Sequence, residues 1–317
     1  MNIKAYPKIA LGTWSWGVGA VGGDQVFGNK LGVKELKPVF DAAIQAGLTL
    51  WDTAVVYDMG ASEDILGTFA RTCKREDILL STKFTPDIAN EDAAEPVIEM
   101  CNSSLARLGT DYIDLYWIHN PGNVEKWTPG LIPLVKSGKI RRIGVSNHNL
   151  EQIKRAEEIL SSENVHITAI QNHYSLLYRS SEEAGILDYC KEHNMEFFAY
   201  MTLEQGALSG KYDTKHPLPA DSMRGRTYNP QLAQIEKLIT VTKKIAAVHA
   251  VSPAQIPVAW AIAKGTTPIL GVTSPEQVAD AVQAANIVLT ENEMAELEQT
   301  AAQTGVDTRG SWEKPMI

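Results

Sequence analysis

Cysteine is nearly absent: Cys73, Cys101 and Cys190 are the only three in 317 residues, and none forms a Cys-x-x-C pair. That pattern gives neither a disulfide framework nor a thiol zinc site, and it predicts reduced thiols in a cytoplasmic protein. Positive charge is scarce as well, with 29 Lys and Arg against 38 Asp and Glu, a formal net charge of −9. This balance argues against general affinity for nucleic acid or for an anionic membrane, and leaves a local basic patch as the means of holding phosphate. No apolar run approaches the ~20 residues of a membrane-spanning helix. The opening Met1-Asn2-Ile3-Lys4-Ala5-Tyr6-Pro7 has no hydrophobic leader core. A soluble cytoplasmic protein with a small-molecule partner is expected, and no motif speaks to its oligomeric state.

What is present is a regular alternation of short apolar runs and amphipathic stretches. Hydrophobic residues make up 44% of the chain, enough for a sizeable core. The length suits a closed β/α barrel, which commonly takes about 250 residues and tolerates insertions. No linker interrupts it, so residues 1–317 are expected to form one domain. Residues 8–14 read as a first strand running into a glycine-rich loop over 17–32. Leu36, Val39, Phe40, Ala43 and Ile44 then recur at helical spacing, and Gly47 closes that helix. Further strands are predicted at 48–52, 77–83, 111–119, 140–145, 168–171, 196–200 and 268–272. Helices are predicted at 62–71, 95–108, 127–137, 150–160, 183–193, 232–250, 253–264, 275–285 and 291–303. Residues 201–230 break the rhythm and read as a functional loop, while 305–317 has no periodicity. Almost wholly apolar strands in eight strand-then-helix units predict an α/β fold. The expected form is a (β/α)8 TIM barrel with a long loop after strand 7 and extra C-terminal helices.

In such a barrel the loops following the strands share one rim, where active sites are built. Asp52, Lys83, His119, Ser146-Asn147, Gln171, Tyr200 and Gly271-Val272 all fall at these ends. Four of these rim groups suggest proton transfer to a carbonyl oxygen. Tyr57 is the candidate general acid, and an ammonium at Lys83 would lower the phenol's pKa from its ordinary value of about 10. Asp52 can pair with Lys83 and keep it charged, and His119 can donate to the carbonyl oxygen. Each residue taken alone is equally at home as a surface charge or a satisfied core group, and the set at matching positions carries the reading.

The motifs resemble those of the aldo-keto reductase family. They are Trp51-Asp52-Thr53-Ala54-Val55-Val56-Tyr57, Ala61-Ser62-Glu63-Asp64-Ile65-Leu66-Gly67 and Ser81-Thr82-Lys83-Phe84. The stretch from Ser104 to His119, then Gly144-Val145-Ser146-Asn147 and Gln171-Asn172-His173-Tyr174-Ser175, complete them. The resemblance runs from about residue 8 to 297 and implies a nicotinamide cofactor extended across the rim, no metal, and the tetrad Asp52, Tyr57, Lys83 and His119. It further implies that Ser146, Asn147 and Gln171 hold the carboxamide and that Tyr200 stacks on the nicotinamide. Gly12, Thr13 and Trp14 would meet the cofactor at the first strand's end. Met201, Thr202, Leu203, Gln205, Gly206, Leu208, Ser209 and Lys211 resemble the pyrophosphate-covering loop. Leu270, Gly271, Val272, Thr273, Gln277 and Asp280 resemble the adenosine end. Trp14, Trp16, Tyr57, His119 and Trp127 are the expected substrate pocket, with Phe27 and Trp312 as further apolar walls.

The chain departs from the family pattern at two places. Met201-Thr202 replaces the usual Ser-Pro after the stacking tyrosine. Gly271, Thr273 and Gln277 stand where NADPH-specific members carry Arg or Lys, and Ala281 replaces the usual Asn. Family habit favours NADPH, with Arg226 and Arg224 as candidates for its 2′-phosphate, and NADH remains open. The expected function is hydride transfer between the cofactor and an aldehyde, ketone or alcohol. The alternative is a cofactor-binding, redox-sensing regulatory subunit with little turnover.

Overall fold

The computed structural model describes residues 6–19 and 21–316. Residues 1–5, 20 and 317 lie outside the described residues, and with them most of the opening stretch read for a leader, one position of the 17–32 loop and the end of the tail. Eight parallel strands close into a barrel: β1 (Ala10–Gly12), β2 (Leu50–Asp52), β3 (Leu79–Phe84), β4 (Leu115–Ile118), β5 (Ile143–Ser146), β6 (Ile167–His173), β7 (Glu196–Tyr200) and β8 (Thr267–Gly271). β1 seals the barrel, with Leu11 beside both Trp51 of β2 and Leu270 of β8.

Side chains alternate across a strand, so every second residue faces the barrel interior. Ala10, Leu50, Leu79, Leu115, Trp117, Ala169 and Phe198 form that interior plug. Two residues further along their strands come Gly12, Asp52, Ser81, Gln171 and Tyr200, so polar groups sit directly above an apolar floor. The opposite faces meet the helices. Val33–Gln45 buries Leu36, Val39, Phe40 and Ala43, and Phe40 stacks on Trp51 with ring centres 5.1 Å apart. Among the described residues no helix is long and apolar enough to cross a membrane.

Several elements differ from their predicted bounds for identifiable reasons. The strand expected over 111–119 begins only at Leu115, because the Asp114 carboxylate takes the Leu80 N–H at 3.0 Å and the Arg75 guanidinium at 2.6 Å. The helix expected over 127–137 is broken at Pro129-Gly130 into Val124–Trp127 and Leu131–Lys136. That expected over 183–193 divides at Gly185, whose φ of +74° is left-handed. Inside the two long loops lie short helices, Gly23–Phe27 and Met223–Tyr228, and a 3₁₀ turn, Glu204–Ser209.

Gly144 on β5 allows Trp117 to fill the barrel, since a Cβ there would lie 2.0 Å from the indole ring. Overpacking of this kind costs about 1–3 kcal/mol. Gly144→Ala is therefore expected to lower the midpoint of thermal unfolding by several degrees, as read by circular dichroism. An unchanged midpoint would show that the interior has slack the packing does not suggest.

Candidate active site

The site begins where the apolar plug ends. Lys83 is wholly buried on β3, and a buried ammonium needs a counter-charge and hydrogen-bond acceptors to replace water. It donates to Asp52 Oδ2 at 2.5 Å, to the Thr53 carbonyl at 2.7 Å and to Tyr57 Oη at 3.4 Å. Burial pulls the Lys83 pKa down, but Asp52 and then Tyr57 outweigh it, so the net shift is upward and the group stays charged. The other oxygen of Asp52 accepts from Ser81 Oγ at 2.7 Å and from Gln171 Nε2 at 3.3 Å. Ser81 in turn accepts from the Trp117 indole at 2.6 Å, which ties the ion pair to the plug.

Tyr57 opens the 3₁₀ turn Tyr57–Gly60 beyond β2 and is half-buried. Burial pushes its phenol pKa above the ordinary value of 10.0. Lys83 opposes that shift and Asp52 adds to it, so the expectation of a lowered pKa fails. The desolvation of the phenol outweighs the one cation beside it. The phenol ring stacks on Trp14 at 5.9 Å and meets the His119 ring edge-on at 6.0 Å. Burial, then the Lys83 charge, drives the His119 pKa well below 6.5, so the imidazole is neutral. Its Nδ1 lies 2.9 Å from Thr85 Oγ1, which leaves Nε2 as the nitrogen available to a ligand.

A cleft of about 720 Å³ opens above these groups, within the range of small-molecule sites. Gly12, Trp14, Asp52, Tyr57, His119, Ser146, Asn147, Gln171 and Tyr200 line it together with Phe27 and Trp312. It continues along Met201, Thr202, Leu203, Gln205, Gly206, Ser209 and Lys211, and past Leu270, Gly271, Val272, Thr273, Gln277 and Asp280. Lys83 does not line it and reaches the cleft only through Asp52 and Tyr57. The loop achieves its close approach by left-handed backbone at Met201, Glu204, Gln205 and Gly206, with φ of +58°, +48°, +52° and +102°. Asn147 is also left-handed, and its amide is already engaged by the His119 carbonyl at 2.9 Å and the Tyr200 hydroxyl at 2.6 Å.

Besides Lys83, five expected residues are absent from the lining. Thr13 is fully buried and its hydroxyl turns to the Asp52 carbonyl and to Ser62. Trp16 packs between the barrel and its helices, against Trp51 and Phe69, and donates its indole N–H to the Val272 carbonyl at 2.8 Å. Trp127 packs on Phe84 at 5.1 Å, behind the rim, and Leu208 is wholly buried in the core. Arg226 is exposed and bonds back to the Asp221 carbonyl, whereas Arg224 lines the cleft. Residues two apart on a helix face different ways, so the two arginines of Met223–Tyr228 cannot share one role.

The sequence reading also passed over lining residues Ser15, Asp87 and Gln255, while Asn29 comes from the glycine-rich loop expected there. None stands in a motif, and Gln255 arrives from a helix more than eighty residues beyond Gln171. Five buried atoms of lining residues, Trp14 Nε1, Ser15 Oγ, Asn29 Oδ1, Arg224 Nε and Gln255 Oε1, have no hydrogen-bond partner among the described residues. Together with the cations Lys211 and Arg224, they make a polar cleft suited to an anionic, hydrogen-bonding ligand such as a dinucleotide.

Residues 8–302 match the sequence model of the Aldo/keto reductase family. The chain is 32% identical over 309 residues to aldo-keto reductase str7 of Strobilurus tenacellus, covering 93% of this chain and 90% of that protein. It is 31% identical over 243 residues to aldo-keto reductase yakc [NADP(+)] of Schizosaccharomyces pombe, covering 72% and 70%. A crystal structure of an aldo-keto reductase from Klebsiella pneumoniae in complex with NADPH superposes with a TM-score of 0.72 at 29% identity, covering 93% of this chain and 90% of that one. The protein belongs to the aldo/keto reductase family.

Proposed function

We propose that this protein is an NADPH-dependent oxidoreductase that interconverts an aldehyde or ketone and its alcohol, with Tyr57 as the proton-transferring group. The observation that carries the reading is the buried Asp52–Lys83 pair ending 3.4 Å from the Tyr57 hydroxyl, with the neutral His119 ring alongside. When bound, the nicotinamide supplies the hydride that the carbonyl carbon accepts. Tyr57 gives its proton to the carbonyl oxygen, and the Lys83 ammonium stabilises the phenolate that results. Asp52 holds Lys83 in position. With Thr85 donating its hydroxyl to Nδ1, the neutral His119 keeps its proton on Nε2 and offers the same carbonyl oxygen a hydrogen bond from it. Trp14, Phe27 and Trp312 form the apolar side of the substrate space.

Ser146, Asn147 and Gln171 are the proposed carboxamide contacts, and Tyr200 the face on which the ring rests. Lys211 and Arg224 are the proposed phosphate contacts. The NADP(+) in the yakc name and the NADPH in the Klebsiella complex support NADPH here. A second reading, that NADH also serves, is favoured by uncharged Gly271, Thr273 and Gln277 beside the Asp280 carboxylate along the cleft.

Tyr57→Phe is expected to keep dinucleotide affinity while lowering turnover about 10²–10⁴-fold, the usual weight of a general acid. Near-normal turnover would remove Tyr57 from its role. Because the donor is the protonated phenol and its pKa is raised, the wild-type kcat for reduction should stay level through neutral pH, the proton donor being lost only above about 10.

Arg224 has its guanidinium 5.7 Å from the ring centres of both Phe27 and Tyr212 and an unpartnered Nε. Arg224→Ala should weaken NADPH by about 10-fold more than NADH, the weight of one charge-assisted hydrogen bond, in a fluorescence titration. Arg226→Ala should leave both affinities unchanged. Equal losses of the two cofactors in Arg224→Ala would mean that Arg224 does not read the 2′-phosphate.

A further inference from the structure

Three titratable side chains outside the tetrad are wholly buried together, a costly arrangement that calls for a reason. His173, at the inward-facing end of β6, has Nδ1 2.9 Å from Glu313 Oε1 and Nε2 3.0 Å from Glu204 Oε1. Ionised carboxylates only accept hydrogen bonds, so against two of them both ring nitrogens carry protons, and the raised His173 pKa favours that imidazolium. It is sandwiched between Tyr178 at 4.3 Å and Tyr200 at 5.5 Å, faces that favour a cation.

The two carboxylates come from the segments that wall the cleft. Glu204 opens the 3₁₀ turn Glu204–Ser209, whose left-handed backbone brings Gln205 and Gly206 to the lining. Its oxygens also accept from Ser175, Thr308 and Tyr228. Glu313 lies in the aperiodic tail, next to Trp312, whose ring meets Trp14 edge-on at 5.8 Å. Glu313 Oε1 is 3.0 Å from the Tyr200 hydroxyl, and Trp312 Nε1 donates to that hydroxyl at 3.3 Å. Tyr200 thus touches the latch on one side and lines the cleft on the other.

We propose that His173 is a positioning residue: bridging Glu204 and Glu313, it latches the loop and the tail together and so fixes Trp312, a wall of the substrate space, against Tyr200, the face proposed for the nicotinamide ring. The inference takes from the reductase reading only what the cleft binds. The latch itself lies outside the tetrad and leaves the proton path through Tyr57 untouched. Glu313 Oε2 is buried without a partner among the described residues, so this side chain engages His173 and Tyr200 through Oε1 alone.

The charge on the bridge also gives it a pH limit. The His173 pKa is raised to about 9: burial opposes the charge, and attraction and hydrogen bonds from Glu204, then Glu313, overcome that. The groups facing it are Glu204 from the loop, Glu313 from the tail, and the phenols Tyr178 and Tyr200, with Asp307 and Arg309 acting on Tyr178. Since the folded value lies above the ordinary 6.5, the latch is complete below 6.5 and is lost as pH rises through about 9.

The test is hydrogen–deuterium exchange of the ligand-free full chain, followed by steady-state kinetics with NADPH and an aldehyde panel. His173→Asn should raise exchange at least 10-fold in residues 310–316 and 203–209 while β3 and β4 keep theirs. It should raise KM for the aldehyde severalfold with kcat within about twofold. Glu313→Gln serves should His173→Asn not fold; it should loosen the tail and leave the loop protected. In the wild type, tail exchange corrected for its intrinsic rate should climb between pH 8 and 10, and in Glu313→Gln the climb should start lower. Unchanged tail exchange in either folded variant overturns the latch, whatever the protein reduces. A uniform rise in exchange across β3, β4 and the tail also overturns it, since the cluster would then serve only global stability. Locally raised exchange supports the latch even where the wild type binds neither cofactor, a result that would sink the reductase reading alone.

Discussion

The buried ion pair between Lys83 and Asp52 is the constraint to which the rest of the site is fitted. An ammonium without solvent costs several kcal/mol unless a charge and hydrogen bonds replace its hydration. The pair meets that requirement through a continuous line of contacts rooted in the barrel floor. Gly144 leaves room for the Trp117 indole, which donates to Ser81, which donates to Asp52, which holds Lys83 beneath the Tyr57 hydroxyl. The register of the sheet sets this line in place, with Asp52 beside Ser81 and Lys83 beside Trp117. A change far down the barrel can therefore reach the phenol without touching it.

Much of the site was legible in the sequence because strands repeat every two residues. On β3 that period carries Leu79, Ser81 and Lys83 inward, and on β6 it carries Ala169, Gln171 and His173. Apolar residues low on each strand and polar ones at its end announce a barrel with a chemically equipped rim. The period does not extend past the strands, and there the reading failed. Trp14 and Trp16 looked equivalent, yet only Trp14 faces the cleft, since the Trp16 indole finds an acceptor in the Val272 carbonyl. Arg224 and Arg226 looked like a pair until the helix of Met223–Tyr228 turned them apart. The direction of the Tyr57 pKa shift depended on how deeply the phenol is buried, which one neighbouring cation could not reveal.

The tail was the least legible part. Nothing in residues 305–317 has a period, and Glu313 meets His173 across 140 positions of sequence. A single buried carboxylate gives no pattern to read, although His173 inside a motif at a strand end was a visible cue that another charge had to come to it. The cleft shows the same economy of charge. In a chain of net charge −9, Lys211 and Arg224 are the exposed or half-buried cations among its lining residues. These two side chains are the positive partners that the lining offers to an anionic ligand.

The most direct test of the account is isotopic. The protein is incubated with NADPH carrying deuterium at both C4 positions and with an aldehyde that it turns over, and the alcohol is examined by mass spectrometry. Direct hydride transfer predicts alcohol containing one deuterium at the former carbonyl carbon, formed in step with cofactor oxidation. Unlabelled alcohol, or none from any aldehyde or ketone despite tight cofactor binding, would contradict the claim that this rim performs carbonyl reduction.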